Sequence, residues 1–149
     1  MSRFSLLLVL PLVLACSKKD APPADTMAVA EEGAPAPMNV AGKWSFNVMP
    51  EASDSVLLTY TLDATNETTG WKISLPGRDP MDLRVTHMDA DSIVVENGPY
   101  PSVLRKDVMV STHTNMRIDG NKAVGQTTAR YDTKGADSVR VLRVDGTKQ

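Results

Sequence analysis

Cysteine is almost absent from this chain: Cys16 is the single cysteine among 149 residues. A chain with one cysteine forms no internal disulfide and offers no cysteine-based zinc site. Histidine is nearly as scarce, and His87 and His113 stand in no His-X-His or His-Glu-X-X-His spacing that would bind a metal. The sequence also lacks a Gly-X-Ser-X-Gly motif and a glycine-rich phosphate loop. It therefore predicts no catalytic residues, no metal and no cofactor, and a protein that is not an enzyme.

The chain also lacks a large excess of charge of either sign and has no long apolar run. The 16 Lys and Arg residues nearly balance the 18 Asp and Glu residues, which leaves a net charge of −2. Such a balance provides no basic surface, so nucleic acid is not an expected partner. A membrane-spanning helix needs about 20 apolar residues, and the longest run here, residues 6–14, is near half that length. This run is therefore predicted to belong to a leader rather than to a membrane span.

The first 16 residues have the layout of a secretory signal. Arg3 supplies positive charge, residues 6–14 form the apolar core, and Ala15 is the small residue before the expected cut. The run Val13-Leu14-Ala15-Cys16 resembles the lipobox of bacterial lipoprotein precursors. The resemblance implies cleavage before Cys16, which then carries a diacylglyceryl thioether and an amide-linked acyl group. The alternative is an ordinary signal peptide followed by an unmodified thiol, which would be a reactive liability in an exported protein.

The same resemblance implies a location. One acyl chain binds a membrane only marginally, whereas two or more hold a protein firmly, so Cys16 would anchor the protein to the bacterial cell envelope. In that family an aspartate after the cysteine is the usual signal for retention at the inner membrane. Ser17 occupies this position here. The resemblance therefore favours the outer membrane, in a cell that has two membranes.

The chain divides into three predicted segments: a signal peptide at 1–15, a lipidated linker at 16–38, and a folded domain at 39–149. Pro and Ala dominate the linker, which has too little apolar surface to offset the entropy of ordering. We interpret it as a disordered spacer. A cell-wall-binding segment is the alternative, but Lys18 and Lys19 supply little charge for that role.

The domain shows a period of two between apolar and polar residues, which is typical of strands. Eight such runs are separated by turn residues, and they lie around 44–48, 56–62, 71–75, 81–85, 93–95, 108–118, 122–131 and 138–144. Consecutive strands with short connections predict an all-β fold, an eight-stranded antiparallel up-and-down barrel that leaves no exposed edge. A two-sheet β-sandwich is the alternative.

The first predicted strand opens on Gly42-Lys43-Trp44. This resembles the Gly-X-Trp signature at the start of the first strand of lipocalins and related calycins. In that family a basic residue of the last strand packs over the tryptophan and closes one end of the barrel. The resemblance thus implies a barrel-end cap formed by Trp44 and Arg143, with Arg140 as the other candidate for the cation.

Two functional hypotheses follow from this lipocalin-like interpretation. The first is that the barrel binds a small apolar ligand by shape and burial, with a predicted lining of Leu58, Tyr60, Trp71, Leu83 and His87. Small and polar residues in the inward phase of the later strands favour a hollow or wet interior; these residues are Thr112, Thr114, Thr127 and Ala129. The second hypothesis is a filled barrel that binds an envelope protein, or inhibits an enzyme, through its loops.

One predicted loop is unusual. Residues 97–102 join the fifth and sixth predicted strands, and two prolines stiffen this segment around Tyr100. A rigid loop that presents a tyrosine is a candidate contact for a partner, because tyrosine is common at interfaces. The other interpretation packs Tyr100 over the end of the barrel.

Overall fold

The computed structural model describes residues 38–149, which form nine strands and one 3₁₀ turn, with no α-helix among these residues. The predicted signal peptide, Cys16 and the predicted linker up to residue 37 lie outside the described residues. The strands are β1 (Gly42–Pro50), β2 (Leu58–Ala64), β3 (Lys72–Ser74), β4 (Met81–Asp82), β5 (Arg84–Met88), β6 (Ser92–Pro101), β7 (Met109–Asp119), β8 (Lys122–Tyr131) and β9 (Val139–Lys148), and the 3₁₀ turn is Ala136–Ser138.

The strands form one antiparallel sheet in the order β4-β3-β2-β1-β9-β8-β7-β6-β5. The first strand pairs with the last, since β1 bonds to both β2 and β9. At the two ends of this order stand β4 and β5, which are consecutive in the chain and separated only by Leu83. The sheet therefore curls into a nearly closed up-and-down barrel, which confirms the predicted fold.

The strand number differs from the prediction by one. The run at 81–85 was expected to form a single strand, but it splits at the buried residue Leu83. Met81 and Asp82 pair with β3, whereas Arg84 onward pairs with β6. One kinked segment thus borders both sides of the sheet and accounts for nine strands instead of eight.

The barrel core begins with the alternation in β1. Trp44, Phe46 and Val48 are buried, while Lys43 and Asn47 point outward, as expected for a strand with one solvated face. The Phe46 ring stacks on the Tyr60 ring, with centroids 5.2 Å apart and planes 9° apart. Aromatic rings of β1 and β2 therefore fill the middle of the barrel.

A backbone contact on β9 makes room for these rings. Gly146 pairs with Phe46 across β1 and β9, and the Phe46 ring lies directly over its α-carbon, in the space that a side chain would occupy. Because glycine has no Cβ, the ring approaches the backbone of β9 closely. The position of Phe46 in the core therefore depends on glycine at position 146.

The register shifts at two places, once between β5 and β6 and once between β6 and β7. At each place a prediction from the sequence is wrong. A bulge between Val85 and His87 leaves both Thr86 and His87 exposed, because the extra residue shifts the inward phase. The predicted inward orientation of His87 is therefore wrong. A second shift lies between Asn97 and Tyr100, but β6 continues through it to Pro101.

The predicted loop at 97–102 is consequently wrong, because most of it is strand. Gly98 has φ +110°, a conformation that favours glycine, and a Cβ there would lie 2.7 Å from the Val110 carbonyl oxygen. Glycine thus lets the irregular part of β6 stay against β7 in spite of the two prolines. The connection between β6 and β7 is the segment 102–108.

The strands define two ends of the barrel. At the end where β1 begins, Trp44 is buried and its Nε1 donates a hydrogen bond to the Val40 carbonyl oxygen at 2.8 Å. The Val40 amide in turn donates to Asn66 Oδ1 at 3.0 Å. Met38, which the sequence analysis placed in the linker, packs against this core. We call this the closed end.

The cation at the closed end is not the one expected. Lys148 Nζ lies 5.8 Å from the centroid of the Trp44 ring, and Lys148 is the register partner of Trp44. Arg143 pairs instead with Met49, which is five residues farther along β1, or roughly 17 Å. It donates to Asp54 Oδ1 at 2.6 Å, and that hydrogen bond raises the pKa of Arg143. The predicted pairing of Trp44 with Arg143 is therefore wrong.

Candidate ligand site at the loop end of the barrel

The opposite end, which we call the loop end, carries four connections, at residues 51–57, 75–80, 102–108 and 132–138. Beneath them the interior is incompletely filled, and a cavity of about 60 Å³ remains. Its apolar wall comes from both sides of the barrel, from Val48, Leu58, Ile73, Leu75, Val110, Ala129 and Leu142. The cavity is therefore part of the barrel core and lies toward the loop end.

Hydroxyl groups of β7 and β8 form the polar part of this cavity. Thr114 and Thr127 face each other across the two strands, are both buried, and share a hydrogen bond of 2.7 Å between their Oγ1 atoms. Thr112 also lines the cavity. The predicted inward phase of these threonines and of Ala129 is confirmed, and it gives the interior a hydrogen-bonding strip.

Three tyrosines, Tyr60, Tyr100 and Tyr131, complete the lining. Burial raises the pKa of Tyr60 far above its usual value, and the nearby Tyr100 adds to this rise. Burial also raises the pKa of Tyr100, partly offset by a hydrogen bond with Thr112. Both phenols therefore stay neutral at physiological pH, so they bring no charge into the cavity.

A short segment borders the cavity on its solvent side. Ser102, Val103 and Leu104 line the cavity, yet Val103 and Leu104 are 37% and 38% exposed. We call residues 102–108 the lid, because they form the connection between β6 and β7 across this end. Two apolar side chains of the lid thus contact the cavity on one side and water on the other.

Further apolar side chains surround the same end. Val56 and Leu57, in the connection between β1 and β2, are 51% and 44% exposed. The Leu57 amide donates to the Val48 carbonyl oxygen at 2.8 Å, which holds this connection beside a strand that lines the cavity. We call Val56, Leu57, Val103 and Leu104 the apolar rim.

The predicted lining is met in part. Leu58 and Tyr60 line the cavity, whereas Trp71 and Leu83 are buried in the core outside its lining. His87 is on the surface, where its Nε2 lies 2.6 Å from Asp89 Oδ2. Tyr100 is not a loop contact, because it lies in β6 and lines the cavity.

The lid was not predicted from the sequence. Its apolar residues, Val103 and Leu104, fall between the fifth and sixth predicted strands, where a period-two pattern gives no signal. The signal that could have revealed them is an apolar pair directly after Ser102 in a connection. Such a pair needs an apolar surface to cover.

The outer wall of the barrel carries a wider groove of about 820 Å³, lined mostly by polar and charged residues of β4 to β8. Within it Glu96 accepts hydrogen bonds from Arg84 and, at 3.4 Å, from His113. The Arg84 contact holds the pKa of Glu96 below its usual value, with a smaller contribution from His113. These exposed charges pair with one another, as on a solvated barrel wall, so the groove is a weaker candidate than the cavity.

Residues 38–149 contain no cluster of histidine, cysteine and acidic side chains that could hold a metal ion. In the same part of the chain no helix has the length and apolarity needed to cross a bilayer.

Comparisons with known proteins add no relative to this description. No family model matches the chain, and no curated protein or solved structure matches it. The class that fold and site define is an antiparallel β-barrel with a small internal cavity at one end. The geometry of that end is therefore the basis for the proposed function.

Proposed function

We propose that this protein is a lipid-anchored envelope protein whose barrel binds the apolar part of a small ligand beneath the lid. One observation carries the ligand-binding part of this proposal. An uncharged cavity inside the barrel is partly covered by two apolar side chains that are themselves exposed to water, Val103 and Leu104. A ligand that replaced water at these surfaces would gain free energy from burial of apolar area.

The size of the cavity sets a condition on binding. Pockets for drug-sized ligands measure roughly 300–1,000 Å³, against about 60 Å³ here. The closed barrel therefore has room for a few water molecules but not for a molecule of several hundred daltons. The ligand proposal requires the lid to move outward, which would join the cavity to the apolar rim.

The anchoring part of the proposal depends on the lipobox resemblance at Cys16. Two or more acyl chains on that residue would keep the barrel beside a membrane. A bilayer concentrates apolar and amphiphilic molecules. The anchor and the apolar rim are therefore compatible with a ligand taken from, or delivered to, the membrane.

A second candidate function is binding of an envelope protein through the loop end, with the barrel filled. The small volume of the cavity and the exposed residues Val56 and Leu57 favour it. Several exposed apolar side chains at one end of a domain are a feature of interaction sites. The two functions differ in one requirement, since only the first needs the interior.

A substitution that fills the interior separates them. Ala129 is buried and lines the cavity, so Ala129→Leu would occupy the space beneath the lid. We expect the affinity for the uncharged fluorescent probe N-phenyl-1-naphthylamine to fall at least about tenfold, because losing about 1.4 kcal/mol of apolar burial has that effect. The measurement is a fluorescence titration of the purified full chain.

Val124→Leu is the matched control for this experiment. Val124 lies on the same strand, β8, but is exposed on the outer wall, so the probe should bind this variant as it binds the wild type. Equal binding by Ala129→Leu and the wild type would contradict the ligand site and leave the rim as a protein-binding surface. A thermal melt of each variant checks that the barrel is folded.

A further inference from the structure

Arg105 connects the lid to the neighbouring connection at the loop end. Its guanidinium carbon lies 4.1 Å from the centroid of the Tyr131 ring, and its Nη1 donates to the Asp137 carbonyl oxygen at 2.9 Å. Nη2 lies 4.0 Å from Asp137 Oδ1, and the arginine side chain is only 21% exposed. A lid residue is thus packed between a cavity-lining ring and the segment 132–138.

The other hydrogen bonds of this region lie within the lid. Ser102 Oγ accepts from the Leu104 amide at 3.1 Å and from the Arg105 amide at 3.0 Å. The Ser102 amide donates to the Val108 carbonyl oxygen at 2.7 Å. These bonds order residues 102–108 within the lid itself. The contacts of Arg105 join the lid to a different connection, so outward movement must break them.

We infer that Arg105 is a latch that holds the lid closed over the cavity and sets how fast the interior becomes accessible. The inference rests on the proposed ligand site for its functional meaning. Its physical basis is separate, because the cation–π contact with Tyr131 and the hydrogen bond to Asp137 exist only while the lid is closed. A cation over an aromatic ring and a charged hydrogen bond each favour the closed state.

A neighbouring arginine provides a control variant that separates the lid contacts of Arg105 from its charge. Arg140 Nη2 lies 3.7 Å from the same Asp137 carboxylate, but Arg140 is on β9 and belongs to no part of the lid. Arg140→Ala therefore removes a positive charge beside Asp137 while it leaves the lid contacts in place. Arg105→Lys keeps the charge of the latch but loses the planar group that stacks on Tyr131 and bonds to Asp137.

Millisecond hydrogen–deuterium exchange of the full chain tests the latch without any ligand. We expect residues 102–108 to exchange about tenfold faster or more in Arg105→Ala than in the wild type, given the strength of such contacts. Arg105→Lys should lie between them, and Arg140→Ala should match the wild type. Exchange in β7 and β8 should be unchanged in all four proteins. Equal exchange of the lid in Arg105→Ala and Arg140→Ala would overturn the inference.

Stopped-flow mixing with N-phenyl-1-naphthylamine then tests access to the cavity. The latch predicts a rise of about tenfold in the association rate constant for Arg105→Ala and none for Arg140→Ala. Faster exchange of the lid with an unchanged association rate would show that the lid does not control entry, which also overturns the inference. If no protein binds the probe, including the wild type, the proposed ligand site fails and the exchange result alone decides the latch.

Discussion

Gly146→Ala is expected to destabilise the barrel by about 3 kcal/mol, at the upper end of typical overpacking penalties. A Cβ at position 146 would lie 2.6 Å from Phe46 Cζ and would overlap other atoms of the same ring. The ring cannot move freely, because Phe46 is buried and stacks on Tyr60. The measurement is urea unfolding of the full chain, followed by the fluorescence of Trp44 and Trp71.

The sign of this effect distinguishes the steric argument from strand propensity. Glycine in a strand interior is less favourable than alanine by roughly 0.5–1 kcal/mol, so Gly146→Ala would be stabilising if the ring were not there. A neutral or stabilising result would therefore contradict the described packing. Phe46→Leu provides the control, since a smaller side chain makes room for the new Cβ. The double variant should lose less free energy of unfolding than the sum of the two single variants.

Cys16→Ala is expected to release the protein from the membrane fraction or to leave it misprocessed, with the leader still attached. Without the thiol there is no site for the acyl chains that the lipobox resemblance implies, and a short leader run does not hold a protein in a bilayer. The measurement is ultracentrifugation of lysed cells, with mass spectrometry of the N-terminal peptide to detect acylation.

Ser17→Asp is the matched variant for the anchor. It keeps Cys16 and should stay in the membrane fraction, while the resemblance implies retention at the inner membrane in a cell with two membranes. Unchanged membrane retention of Cys16→Ala would contradict lipidation. The barrel itself is expected to fold alike in both variants, because its described contacts involve residues 38–149 only.

Much of the barrel could be predicted because most strands have one buried and one solvated face. In β1 the order Lys43, Trp44, Ser45, Phe46 alternates strictly, and β8 has the predicted bounds of 122–131. Period-two alternation is a direct consequence of strand geometry. It also placed Thr114 and Thr127 on the inner face, where the structure has them.

The predictions are wrong where the alternation of inward and outward residues changes phase, or where a residue's partner depends on the register between two strands. The bulge beside His87 inserts one residue, and no local pattern marks it. The partner of Trp44 depends on the register between β1 and β9, which brings Lys148 rather than Arg143 to the closed end. Register between strands far apart in sequence is set by the whole sheet, so a single strand does not reveal it.

Of the candidate site, only lining residues that lie on regular strands could be predicted from the sequence. Leu58 and Tyr60 lie on strands whose inward phase is clear, and both line the cavity. Val103, Leu104 and Arg105 belong to an irregular connection, and Arg105 is held by contacts with β8 and the segment 132–138. Long-range contacts of this kind leave no periodic signal in the sequence.

Native mass spectrometry of the full chain, extracted without denaturation from the cells that produce it, tests the ligand-binding proposal most directly. The account predicts a reproducible added mass of a small molecule, beyond the acyl groups at Cys16, that is lost from Ala129→Leu and kept by Val124→Leu. A single mass for the acylated chain, with no further bound molecule in any of the three proteins, would contradict a ligand beneath the lid.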